Sequence, residues 1–235
     1  MKTTIKTGLT AILLLIISCT KENDITQCSL ITDETSTADV ITDITGKYSS
    51  IKIGTQSWMT KNLEVSRYRN GDRIPQVKGP AEWAALTTGA WCWYNNDHGF
   101  AGKLYNWYAV NDPRGLAPAG WHVPSDAEWD TLSTYLGKNA GGKLKDTGTI
   151  EAGTGLWYAP NTGATNKTGF TGLPGGYRGQ NGNFNTLGKY GLWWSSTESY
   201  TTTAWYSELT FDGGGIYRDG GFYKFEGFSV RCIKD

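Results

Sequence analysis

The sequence predicts a β-rich fold with one or two helices and long ordered loops. Three observations carry this expectation. The 235 residues include 11 Trp, 13 Tyr and 7 Phe beside 31 Gly; the aromatics favour strands and the glycines mark frequent turns. Only one stretch shows a well-marked helical pattern. Residues 137–176 are rich in Gly, Thr and Asn without periodicity, which in a compact domain marks an ordered functional loop. A hydrophobic fraction of 38% suffices for a core. The formal net charge is +0 with no basic block, which argues against a nucleic-acid partner. Two His and four Cys argue against a multi-metal enzyme.

The first 18 residues read as a targeting segment rather than as part of the fold. Lys2 and Lys6 precede the apolar run Leu9–Ile17, which is shorter than the roughly 20 residues of a membrane-spanning helix. The run ends Ile16-Ile17-Ser18-Cys19, which resembles the lipobox of bacterial lipoproteins. That resemblance implies cleavage before Cys19, acylation of Cys19, and a membrane partner held through the lipid, because two or more chains give stable anchoring. Lys21-Glu22-Asn23-Asp24 follows. It is similar to a surface-export signal of Gram-negative lipoproteins, and it also fits a solvated charge cluster. Residues 20–45 hold one Lys and six acids, hence −5, and no Trp or Phe. They read as a flexible acidic tether, 19–45 with the lipidated Cys19. From residue 46 onward 19 basic residues face 16 acidic ones, or +3, and all 11 Trp lie there. This places the folded domain at 46–235.

Within that domain Tyr48–Ile53 reads as the first strand, and Asn70-Gly71, Asn181-Gly182 and Asp219-Gly220 as hairpin-type turns. Trp91–Tyr94, Leu192–Ser195, Ala204–Phe211, Gly215–Tyr217 and Phe228–Ile233 read as further strands. The marked helix begins at Ser125, where Glu128 completes a capping box, and ends before Gly137. Its Trp129, Leu132 and Leu136 share one face. Ala81–Leu86 reads as a short helix, and Gly102–Val110 fits either a helix or a strand.

Seven ordered blocks then carry a resemblance over residues 46 to 235. They are Ile53–Leu63, Cys92–Asp97, Leu104–Val110, Gly120–Leu132, Asn161–Arg178, Gly191–Ser199 and Gly227–Asp235. Together they resemble the Fibrobacter succinogenes major paralogous domain family, whose members look like secreted or surface lipoprotein modules. More distantly, His122–Trp129 and Gly227–Cys232 are similar to segments of the formylglycine-generating enzymes, built on a variant of the C-type lectin fold. The implied architecture is α+β: a twisted antiparallel sheet, one or two helices and long loops. The implied location is the cell envelope, on the outer membrane and exposed at the surface. Oxidase chemistry of that enzyme family requires two nearby thiols on one loop. This domain has only Cys92 and Cys232, far apart in sequence, so the resemblance carries no catalytic residue across.

Outside the cytoplasm disulfides persist, and a Cys92–Cys232 bridge is favoured, with Cys28 left in the tether; the alternatives are a pairing that uses Cys28, or Cys92 and Cys232 as buried free thiols. Ser195, Ser196 and His122 lack a nucleophile elbow, so His122 is expected to hydrogen-bond structurally and His98 to sit in a turn. Asp126 and Glu128 are expected as first-turn helix acids. Calcium is a weak candidate, at Asn95, Asn96, Asp97, Asp212 or Asp219, against ordinary Asn/Asp turns; no other cofactor is implied. The aromatic residues leave Trp157, Tyr158, Tyr177, Arg178 and Trp194 as candidate ligand contacts, since flat rings stack on sugar C–H faces. Adjacent Trp193 and Trp194 point to opposite faces of a strand, which leaves one of them open to solvent. The expected function is a non-catalytic surface domain that binds a glycan or a protein. The rivals are an envelope enzyme with an unrecognised site and a subunit of a surface assembly.

Overall fold

A computed structural model of the protein describes residues 48–235; the expected signal segment, Cys19, Cys28 and the tether lie outside the described residues. In chain order the elements are β1 (Ser50–Ile53), β2 (Gln56–Met59), α1 (Pro80–Ala84), β3 (Trp91–Cys92), β4 (Leu104–Tyr105), α2 (Trp107–Val110), β5 (Trp121–His122), α3 (Asp126–Leu136), α4 (Ala140–Leu144), β6 (Tyr177–Arg178), β7 (Phe184–Asn185), β8 (Tyr190–Tyr200), β9 (Thr203–Thr210), β10 (Tyr217–Tyr223) and β11 (Ile233–Lys234). This is an α+β arrangement of antiparallel sheets with few helices. One sheet has the order β1-β2-β11-β5 and a second the order β10-β9-β8, with two-stranded ribbons β3-β4 and β6-β7.

The predicted helix forms as read. The Ser125 side chain accepts from the Glu128 backbone, the Glu128 carboxylate accepts from the Ser125 backbone, and Trp129, Leu132 and Leu136 are buried. Gly102–Val110 is neither wholly strand nor wholly helix but both in turn. β4 gives way to α2 at Asn106, whose side chain accepts from Ala109 N and so caps the short helix. The Asn181-Gly182 turn joins β6 to β7, with Gly182 at φ 75°. Asp219-Gly220 is not a turn. It lies inside β10, where two glycines accommodate a break in register between Asp219 and Phe222.

The C-terminal run Phe228–Ile233 does not form one ladder as expected. It is a seam that joins several. Gly227 exchanges backbone bonds with Arg178, Phe228 with Tyr105, and Ser229 with Leu192 and Trp194; the Val230 and Cys232 carbonyls accept from Leu63 and Met59. Two large apolar clusters flank this seam. Consecutive strand residues point to opposite faces, so Trp194 enters one cluster and Trp193 the other. Both are buried, because both faces of β8 are covered over residues 191–195. The expectation that one of them is open is corrected by the second layer that α3, α4 and the 145–170 loop place over it.

The expected Cys92–Cys232 bridge is not formed. Each residue is a buried thiol, Cys92 in a third cluster with Val77, Trp83, Ala90 and Leu104, and Cys232 in the first. Long-loop closure argues for the entropy of a bridge, but pairing requires adjacency, and the two side chains pack in separate clusters. Burial pushes the Cys92 thiol up to about 12, which keeps it protonated and inert.

Candidate functional site

Three of the five candidate contacts are inside the fold. Trp157 is buried and its Nε1 donates to Gly172 O at 3.0 Å. Trp194 is buried, donates to Tyr105 O at 2.9 Å, and stacks on Phe228 at 4.1 Å between centroids. Arg178 is buried and donates to Gly182 O, Val77 O and Lys78 O at 2.7–2.8 Å. These three pin loops together and offer a ligand no surface. Tyr177 is half-buried, edge-on to Phe222 and Phe228. Tyr158 alone keeps an open ring, 39% exposed and beside Ile150. The structure therefore does not bring the five into one platform.

Arg178 belongs to a recurrent device. Arg231 is buried, with Nε on Asn62 Oδ1 at 2.8 Å, Nη1 on Met59 O at 3.0 Å and on Phe170 O at 2.6 Å, and its guanidinium 4.2 Å from the Phe170 ring centroid. Lys145 is buried with Nζ on the carbonyls of Thr210 and Gly213, both at 2.8 Å. Burial lowers these two groups, to about 9 and about 8 respectively, yet leaves both mostly charged at neutral pH. Each cation satisfies two or more backbone carbonyls near an aromatic ring. Many of the aromatic residues thus serve packing and loop anchorage.

Among the described residues the titratable groups around His122 form no nucleophilic set. His122 Nδ1 lies 2.7 Å from Asp235 Oδ1 and Nε2 lies 2.9 Å from Glu128 Oε1. Burial opposes its charge, but the two carboxylates outweigh burial and raise its pKa. With both ring nitrogens engaged, His122 has none left to activate Ser195, whose Oγ accepts from Thr197 N. His98 packs on Trp93 and its backbone donates to the Asp97 side chain. Among the described residues no group of three or more His, Cys, Asp or Glu is placed to hold a metal ion. Of the calcium candidates, Asn95 and Asp97 line a pocket of ≈ 200 Å³ with His98.

Two carboxylates stand out. Burial raises Glu226 to about 7, and burial aided by Asp212 raises Glu208 to about 7. The folded state therefore binds protons more tightly than the unfolded chain, whose carboxylates titrate near 4.5. Stability is fullest below that value and falls as pH rises to about 7. For the more buried Glu226 the expected loss is on the order of 3 kcal/mol. Urea unfolding at pH 5 and pH 7.5 checks this, and Glu226→Gln should flatten the difference.

An open groove that the sequence reading missed lies at the end of α3. Tyr135 sits outside the Trp129/Leu132/Leu136 stripe and is 65% exposed. Its ring lies over Gly54 in the β1–β2 turn, where φ is +62° and an added Cβ would fall 2.9 Å from the ring. On one side is a groove of ≈ 470 Å³ lined by Lys52, Lys143, Lys167 and Thr168. On the other is one of ≈ 540 Å³ lined by Thr55, Gln56, Asp130 and Thr134. Ile53 and Tyr135 border both, so the ring forms a ridge between them. Within the described residues Thr55 and Thr134 make no hydrogen bond through their hydroxyls, whereas Gln56 is held by Glu128 O and Trp58. The available signal was a lone aromatic on the solvent side of an amphipathic helix. Its partner Gly54 carries no such mark.

The fold and site define an α+β domain of antiparallel sheets with an aromatic-ridged surface groove. Residues 51–234 match the Fibrobacter succinogenes major domain, and the chain belongs to that family. No curated protein and no solved structure matches it.

Proposed function

We propose that this chain is a lipid-anchored outer-membrane protein whose surface-exposed domain binds a glycan without catalysing its cleavage. The observation that carries the binding assignment is the exposed Tyr135 ring, held on Gly54 between two grooves. A flat ring with polar grooves on both sides suits a sugar whose C–H face stacks on the ring while its hydroxyls reach groups such as Thr55 and Thr134. The engagement of both His122 nitrogens supports a non-catalytic reading over an envelope enzyme. The antiparallel sheets, single long capped helix and pinned loop support a C-type-lectin-like arrangement. The anchor rests on the lipobox at Cys19.

On a glycan array, the full-length protein is expected to bind at least one oligosaccharide. Tyr135→Ala should weaken that binding about tenfold, equal to about 1.4 kcal/mol. It should shift unfolding free energy by no more than about 0.5 kcal/mol, as befits a surface position. Tyr135→Phe should bind normally. Unchanged binding by Tyr135→Ala removes the groove from the reading, and capture of a protein ligand alone replaces it. For the anchor, an alkyne-tagged fatty acid is expected to label the protein in cells and not its Cys19→Ala variant.

A further inference from the structure

We infer that the lysine side of the Tyr135 groove receives an acidic group, so that the ligand is an anionic saccharide carrying carboxylate or sulfate. This rests on the glycan reading above and adds the chemical class. Three lysines reach one groove of ≈ 470 Å³ from three separate segments: Lys52 on β1, Lys143 on α4, and Lys167 in the following loop. Among the described residues none has a carboxylate within ion-pair distance. Lys143 Nζ donates one bond, to Leu136 O at 2.6 Å, which leaves it two donors. Lys52 and Lys167 make no side-chain hydrogen bond within the described residues.

This contrasts with two of the arginines. Arg114 is paired with Asp112 and Asp72, and Arg218 with Asp126 and Asp130. Three like charges around one cleft repel each other and focus a positive potential into it. An acidic group relieves that repulsion and takes charge-assisted hydrogen bonds. The opposite groove is lined by no lysine, and its one charged residue, Asp130, is already paired with Arg218, so it offers an anion no free cation. The two sides thus impose a direction: a sugar ring over Tyr135, its acidic substituent towards the lysines, and its neutral hydroxyls towards Thr55 and Thr134.

The test is calorimetric titration of the full-length protein with two matched pairs, tetragalacturonate against its fully methyl-esterified form, and sulfated against unsulfated dextran oligosaccharide. The acidic member of at least one pair should bind roughly tenfold more tightly, and the gap should narrow as salt rises from about 50 to about 300 mM. The Lys52→Gln/Lys167→Gln double variant should lose that advantage and keep its affinity for the neutral member, whereas Tyr135→Ala should weaken both. Equal binding of acidic and neutral forms, still sensitive to Tyr135→Ala, overturns the acidic assignment and leaves the glycan reading standing. Binding of all four saccharides that ignores Tyr135→Ala, or no binding at all, overturns both. Lysine-dependent binding to phosphatidylglycerol vesicles without saccharide binding also overturns the inference, in favour of a membrane contact.

Discussion

Arg231→Ala is expected to destabilise the domain by about 3–5 kcal/mol. Two effects oppose each other. Burying a guanidinium without a carboxylate partner is costly, as the fall of its pKa to about 9 records, and removing it recovers that cost. Against this, Met59 O and Phe170 O each lose a short bond from Nη1, and Asn62 Oδ1 loses Nε. Each buried acceptor left unpaired costs roughly 1–3 kcal/mol, and the vacated volume adds a cavity. Asn62 retains the Trp193 Nε1 bond at 2.8 Å, so the damage concentrates on the two carbonyls and the loop they anchor. The losses exceed the gain. Arg231→Lys should recover little, because one ammonium cannot span the donors' positions. Urea unfolding measures the loss, and limited proteolysis should show new cleavage near residues 166–172. A change below about 1 kcal/mol would refute the anchoring role.

Trp194→Ala is expected to cost about 3–5 kcal/mol, the range for deleting a buried Trp. Its ring stacks on Phe228, which also contacts Tyr206, Tyr177 and Phe222, so a cavity there opens at the centre of a continuous aromatic cluster. The Tyr105 carbonyl loses the indole N–H but keeps the Phe228 N bond at 3.0 Å, so the larger share of the cost is packing. Trp194→Phe should accordingly cost less. The comparison with Tyr135→Ala is decisive: two aromatic truncations, one collapsing stability and the other only binding, separate core from site. If Trp194→Ala unfolds at the wild-type urea midpoint, the two-layer core around β8 is wrong.

How far the molecule could be read in advance followed the range of each interaction. The Ser125–Glu128 capping box, the buried stripe of α3 and the Asn181-Gly182 turn depend on contacts within a few residues, and each formed as expected. Trp193 and Trp194 show the limit. Alternation placed them on opposite faces, but a period of two carries no information about what lies above either face. The covering layer comes from α3, α4 and the loop beyond them, remote in the chain. The expected bridge failed similarly: composition named Cys92 and Cys232, and packing put them in different clusters. Arg178, Arg231 and the loop aromatics stood out as motif residues, but their role as buried carbonyl anchors depends on loops arriving from elsewhere.

The site was the least legible part. Tyr135 could be placed off the apolar stripe of its helix, yet its standing as a ridge depends on Gly54 beneath it, and the positive side depends on lysines from three segments. Legible from the amino-acid sequence alone were the family and the α+β mixture of short strands and one capped helix. Which aromatics are covered and which are open was settled by packing. Periodicity and caps are properties of neighbouring residues, whereas exposure is a property of everything that packs against them.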